Sequence, residues 1–118
     1  MDNGLEFWQY LDALIAGSSV VIDRPKGSFH PRFPGQAYPL DYGYLDGTTS
    51  VDGGGVDVWV GSQGMAQLTG ILCTVDLWKK DSELKLLLGC PPEDVERILA
   101  FTNSESMRAI YIARDDGG

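Results

Sequence analysis

Val51-Asp52-Gly53-Gly54-Gly55-Val56-Asp57-Val58 sets a glycine turn between two carboxylates and runs directly into a β-branched strand. Glycines permit a tight turn and let a ligand come close to the backbone. Val56 to Val60 alternates, with Val58 and Val60 on one face, so Asp57 begins a strand and its direction is set by a rigid element. Asp52 and Asp57 can converge on one cation across such a turn. The same letters also describe a plain hairpin, because Asp-Gly is a strong turn signal. Spacing alone leaves both readings open.

Working outward, Lys79-Lys80-Asp81-Ser82-Glu83-Leu84-Lys85 is the next charged stretch. Alternation puts Asp81, Glu83 and Lys85 on one strand face. A row of carboxylates and ammonium suits a metal-bound polyphosphate; it equally suits a solvated hairpin tip whose ion pairs contribute little. Upstream lies Asp23-Arg24-Pro25-Lys26-Gly27-Ser28, with His30 and Arg32 close behind, a source of cations for phosphate oxygens with Asp23 near a metal. His30, the single histidine, is assigned no role. Tyr38 to Tyr44 holds three tyrosines, which read first as packing residues.

The remaining pattern is a small α+β plan. Leu5, Trp8, Leu11, Leu14 and Ile15 recur at helical steps over residues 4–16, and Gly17 stops that helix. Val20 to Ile22 reads as a short strand. Residues 23–57 hold four of the six prolines and are read as loop and short strands folded over a site. Leu68 to Leu77 and Lys85 to Leu88 are strand-like. Pro92 opens a helix with Glu93 and Asp94 well placed for its dipole, and Val95, Ile98, Leu99 and Phe101 form its buried stripe up to Asn103. Met107 to Ala113 is a last strand, followed by a frayed tail from Arg114.

The 118 residues suit one domain, 1–118, and 43% apolar side chains suffice for a core. Nine Lys and Arg against 17 Asp and Glu give a net charge of −8, which argues against nucleic-acid binding. Acidic excess serves solubility or a hard divalent cation. Cys73 and Cys90 form no CxxC pair and have no histidine set, so buried free thiols are expected and zinc is not. No apolar run approaches the ~20 residues of a membrane span, and no basic leader precedes an apolar stretch at the N-terminus. A cytoplasmic location is expected.

Taken in order, four segments resemble the soluble (family I) inorganic pyrophosphatases. Val20-Val21-Ile22-Asp23-Arg24-Pro25-Lys26-Gly27-Ser28 is similar to that family's strand ending in an acidic residue and then Ile-Pro-Lys-Gly-Ser. Tyr38-Pro39-Leu40-Asp41-Tyr42-Gly43-Tyr44 resembles its Tyr-Pro-x-Asn-Tyr-Gly segment. Asp52 to Asp57 matches the length and end carboxylates of its Asp-Gly-Asp-Pro-hydrophobic-Asp signature, and Asp81, Glu83 and Lys85 resemble its later metal-and-phosphate strand. The resemblance implies a small OB-like antiparallel β-barrel of five strands with flanking N- and C-terminal helices. It implies hydrolysis of pyrophosphate to phosphate, or of a related small phosphate ester, dependent on magnesium or manganese. Asp52, Asp57, Asp81, Glu83 and Asp23 would surround the metal, and Lys26, Arg32, Tyr38, Tyr42 and Lys85 the phosphate. Asp52, Asp57 and Lys85 would be central to catalysis, and a homo-oligomer is expected.

The chain also departs from the family. Gly54 stands where the family has its central aspartate, a leading candidate for the general base, and Gly55 replaces proline. The Arg32–Ala37 segment is short, and the C-terminal Tyr-Lys phosphate pair is missing. Asp41 or Asp46 is a conceivable substitute carboxylate. The alternative to an enzyme is therefore a non-catalytic pyrophosphatase-like module that binds metal and phosphate or a protein partner.

Overall fold

The structure, a computed structural model, describes residues 4–50, 53–65 and 67–115. Its elements are α1 (Leu5–Ala16), β1 (Ser19–Arg24), β2 (Asp41–Asp46), β3 (Val56–Val60), β4 (Leu68–Asp76), β5 (Asp81–Leu88), α2 (Pro92–Thr102) and β6 (Met107–Ala113). The six strands form one sheet in the order β1-β2-β3-β5-β4-β6. Every neighbouring pair is antiparallel except β3 with β5, which run parallel, Val58 opposite Leu86 and Val60 opposite Leu88. The expected five-stranded barrel is thus replaced by an open six-stranded mixed sheet. β6 adds to the outer side of β4, and β1 and β6 are left as two separate edges.

Alternation along the strands sorts the side chains into two cores. Leu45, Val58, Val60, Ile71, Leu86 and Leu88 face one side and are covered by α1 through Trp8, Leu11 and Ile15. Tyr38, Leu40, Trp59, Leu72 and Leu87 face the other, beneath Val95 and Ile98 of α2. Leu45, Val58, Leu72, Leu86 and Leu87 are fully buried; each such side chain contributes about 1.5–3 kcal/mol by leaving water. Trp8, Leu11 and Ile15 of α1 thus pack on its own sheet, while Phe7, Tyr10 and Leu14 stay exposed.

α2 starts at Pro92, whose missing N–H is no loss at a first helical position. Asp94 in that first turn is completely buried, and its Oδ2 accepts from the Ser62 amide and hydroxyl, both at 2.8 Å. This bond pins the loop after β3 to the helix. At the other end the Asn103 amide closes on Leu99, and Asn103 Oδ1 takes the Ala109 amide at 2.8 Å, which leads the chain into β6. Arg114, expected in a frayed tail, instead grips Asp12 of α1 with two bonds of 2.7 Å. Cys90 is buried and Cys73 half-buried; neither is in a disulfide, and burial pushes the Cys90 thiol up to about 12, with the nearby Asp94 charge adding to it.

The stretch read as loop and short strands over 23–57 contains one regular six-residue strand, β2. Asp23 is the extra residue of a bulge, since Ile22 pairs Gly43 and Arg24 pairs Tyr42. Gly43 is required at this crossing: a Cβ there would lie 1.8 Å from the Val21 carbonyl oxygen. No helix among the described residues is long and apolar enough to cross a membrane.

Candidate phosphate and metal site

The face of the sheet under α2 carries Tyr42 on β2, Asp57 and Trp59 on β3, and Asp81, Glu83, Lys85 and Leu87 on β5, all at period-two positions. Leu87 and Trp59 are covered by α2. Beyond its reach the same rows turn polar, and the uncovered end of the face is a cavity of about 180 Å³. Tyr38, Tyr42, Asp57, Asp81, Glu83 and Lys85 line it, together with Arg32 and Lys79 at its charged side.

Lys85 is the hub. It is 7% exposed, and its Nζ donates to Tyr42 Oη at 2.7 Å, Asp57 Oδ2 at 2.8 Å and Glu83 Oε2 at 2.9 Å. The Tyr42 hydroxyl donates in turn to Asp57 Oδ2 at 2.7 Å. Burial by itself pushes the Lys85 pKa down, but the Tyr42 oxygen and the Asp57 and Glu83 carboxylates outweigh it and hold the ammonium above its ordinary value. Tyr42 is raised too, first by burial and then by Asp57, so its hydroxyl stays protonated. The cluster is a lysine saturated by three acceptors, with Asp57 Oδ1 taking no hydrogen bond among the described residues.

Several expected site residues come together here and others do not. Asp57, Asp81, Glu83, Lys85, Arg32, Tyr38 and Tyr42 share the cavity. Asp23, at the β1 bulge, does not line it but lines a neighbouring shallow groove with Tyr44, Gly54, Gly55 and Asp57, so Asp57 borders both. Lys26 is exposed on the loop after β1, away from the cavity, with its amide bonded to Asp41 Oδ1 at 2.8 Å. Asp41 Oδ1 is thereby engaged by the Lys26 amide, and Asp46 is exposed at the other end of β2, the end that neighbours Gly55. Asp52 lies outside the described residues.

Four contributors carried no role in the sequence. Asp76 ends β4, is 1% exposed, and accepts from the Trp78 amide (2.9 Å), the Lys79 amide (3.2 Å) and the Ser106 hydroxyl (2.7 Å). Its other oxygen accepts no hydrogen bond and faces Arg32 at 3.6 Å. Burial raises the Asp76 pKa, yet these hydrogen bonds and the Arg32 charge prevail and hold it below 3.8. The signal was present: an Asp at the end of an apolar strand, two and three residues before the amides of a turn, is an Asx-turn pattern. Arg32 is sandwiched between Trp78 and Phe33, 4.2 and 4.8 Å from their ring centres. His30 Nδ1 accepts from the Arg32 amide at 3.0 Å and the Phe33 amide at 3.3 Å, which fixes its other nitrogen as the N–H. Burial, then the Arg32, Arg24 and Lys79 charges, lowers its pKa. Lys79 and Phe101 complete the additions; Phe101 arrives from α2, which no local pattern could place beside residue 30.

Among the described residues no three His, Cys, Asp or Glu side chains converge to hold a metal ion by themselves. Three carboxylates (Asp57, Asp81, Glu83) and three cations (Arg32, Lys79, Lys85) line the cavity, so its formal charge is close to zero. That donor set fits magnesium in the way the ion is most often held, by one or two carboxylates with the remaining ligands from water and substrate phosphate.

Fold and site together define a class: an α+β domain whose open mixed sheet presents a lysine–carboxylate cluster in a small cavity. Among solved structures, the fold is similar to that of an inorganic pyrophosphatase from Helicobacter pylori, at 20% identity, 81% of this chain, 82% of that chain and a TM-score of 0.57. It is also similar to an inorganic phosphatase from Anaplasma phagocytophilum, at 18% identity, 80% of this chain, 81% of that chain and a TM-score of 0.55. At such identities the likeness is one of fold. No protein-family model and no curated protein matches the sequence.

Proposed function

We propose that this cavity binds a magnesium-complexed phosphate anhydride, pyrophosphate or a close relative, and hydrolyses it. The observation that carries the reading is Lys85 bonded to Asp57, Glu83 and Tyr42 on the floor of a cavity with Arg32 and Lys79 at its side. A near-neutral cavity gives little attraction to a bare polyanion and suits one that arrives with its divalent cation. Asp57 Oδ1 with Glu83 would hold the cation against the phosphate, its other ligands coming from water and phosphate oxygens, and manganese would serve in the same place. Bound there, magnesium would neutralise phosphate oxygens and lower the pKa of a coordinated water. Lys79 and Arg32 would steady the outer phosphoryl oxygens. Lys85 fixes the Asp57 carboxylate, so that Oδ1 is aimed rather than free to rotate.

Gly54 removes a general base, a loss of ~10²–10⁴ in rate for reactions of this kind. With all three Lys85 protons already used inside the protein, this favours a second reading, a non-catalytic module that binds the same ligand. Phosphate release from pyrophosphate in magnesium, with calorimetry on the same sample, separates them. Turnover that disappears in Asp57→Asn and rises in Gly54→Asp supports the enzyme. Binding without release under magnesium or manganese supports the module. Absence of both eliminates the site as a phosphate site.

A further inference from the structure

The cavity has two unlike halves. One carries the charged groups. The other is mostly aromatic: His30, Phe33 and Phe101, with Met107, all half-buried, line it with the buried Tyr38 and Trp59. The rings already stack on one another. His30 and Tyr38 are parallel within 4° at 5.9 Å, and Phe101 lies 4.8 Å from Tyr38 and 6.1 Å from His30. This wall is fixed in place. His30 Nδ1 ties down the amides of its own loop, and the Gln36 side-chain amide donates to Ser104 Oγ at 2.9 Å, joining that loop to the segment after α2. The Trp59 indole N–H on the same wall is buried with no hydrogen-bond partner.

Inorganic pyrophosphate has no apolar surface. It would fill the charged half and leave the half-exposed rings against water. A planar ring attached to the phosphates would cover them, since stacking on aromatic side chains is a major source of binding for nucleobases. At about 180 Å³ the cavity is smaller than the ~300 Å³ and upward usual for enclosed organic ligands, so the ring would lie against the lip rather than inside.

Resting on the reading of the cavity as a metal–phosphate site, we propose that its ligand is a nucleoside diphosphate. Its phosphates lie at Lys79 and Arg32 and its base against Phe33 and Phe101. The reaction is hydrolysis of the terminal phosphoryl group. A water oxygen bonds to the terminal phosphorus and the bond from that phosphorus to the bridging oxygen breaks. The bridging oxygen keeps the electron pair in the nucleoside monophosphate, and one water proton passes to solvent.

The test is calorimetry on the full chain with magnesium, comparing adenosine diphosphate, the ringless methyl diphosphate and pyrophosphate. Adenosine diphosphate should bind about tenfold more tightly than methyl diphosphate. Phe33→Ala should abolish that preference and Phe33→Tyr keep it, with far-UV spectra and melting cooperativity reporting the fold of each variant. Equal binding of the two diphosphates, or a preference that survives Phe33→Ala, overturns the inference while leaving pyrophosphate binding intact. Loss of all binding, pyrophosphate included, removes the underlying site and this inference with it.

Discussion

Lys85 shows how a single side chain turns a charged row into a structure. Its ammonium is the counter-ion of two carboxylates that are 29% and 19% exposed. Lys85→Met leaves the partly buried Asp57 and Glu83 facing each other without their counter-ion, so stability should fall by about 1–3 kcal/mol in urea denaturation. Adding Asp57→Asn and Glu83→Gln to Lys85→Met should recover much of that loss; a triple variant as weak as the single one would show that the ammonium acts through packing alone. Asp76 gives the pH dependence. Its folded pKa lies below the unfolded value near 3.8, so its contribution is present above about pH 4 and disappears as pH falls through the folded value. Asp76→Asn should be less stable at neutral pH and should flatten the acid limb of a stability-versus-pH curve. An unchanged acid limb would assign acid unfolding to other carboxylates.

At the scale of elements, the close pairing of β1 with β2 seats one wall of the site. β2 supplies Tyr42, and its seat depends on Gly43 having no side chain, with the Val21 carbonyl oxygen 1.8 Å from where a Cβ would be. Gly43→Ala must therefore push an edge strand away from the sheet, at a cost of about 3 kcal/mol. The denaturation midpoint should fall with little change in slope, and Tyr42 should become more reactive to solvent probes. A variant as stable as the native chain would mean that the strand relaxes freely at the bulge. The strands themselves were largely readable: β3 and β6 match their expected limits of Val56–Val60 and Met107–Ala113, and both helices lie where their apolar steps and glycine or proline punctuation put them. β2 was expected only as one of the short strands within residues 23–57, without limits; its Asp, Gly and Tyr content also resembles a turn, and what fixes it as a strand is hydrogen bonding on both sides, to β1 and β3.

For the whole molecule, the cavity is walled by the end of α2 on one side and by residues 30–38 on the other, above the polar end of the sheet. A ligand that binds there binds the native state alone, so magnesium pyrophosphate at about a hundred times its Kd should raise unfolding free energy by about 2.7 kcal/mol. The rise should vanish in Lys85→Met and be small for pyrophosphate without a divalent cation, because the cavity's own charges nearly cancel. A shift equal with and without magnesium would show that the cation takes no part.

Alternation alone was enough to put Asp81, Glu83 and Lys85 on one face, since a strand repeats every two residues whatever surrounds it. The glycine run and the β-branched stretch after it were enough to give Asp57 a fixed direction. What the tertiary structure decided was the company these groups keep. Parallel pairing of β3 with β5 brings residue 57 to residue 85, Asp23 lines a neighbouring groove that shares Asp57, and Asp41 Oδ1 accepts from the Lys26 amide. β6 on the outer side of β4 leaves the sheet open. These are contacts between segments tens of residues apart. They follow from which whole faces can be buried together, a quantity that no local run of letters contains.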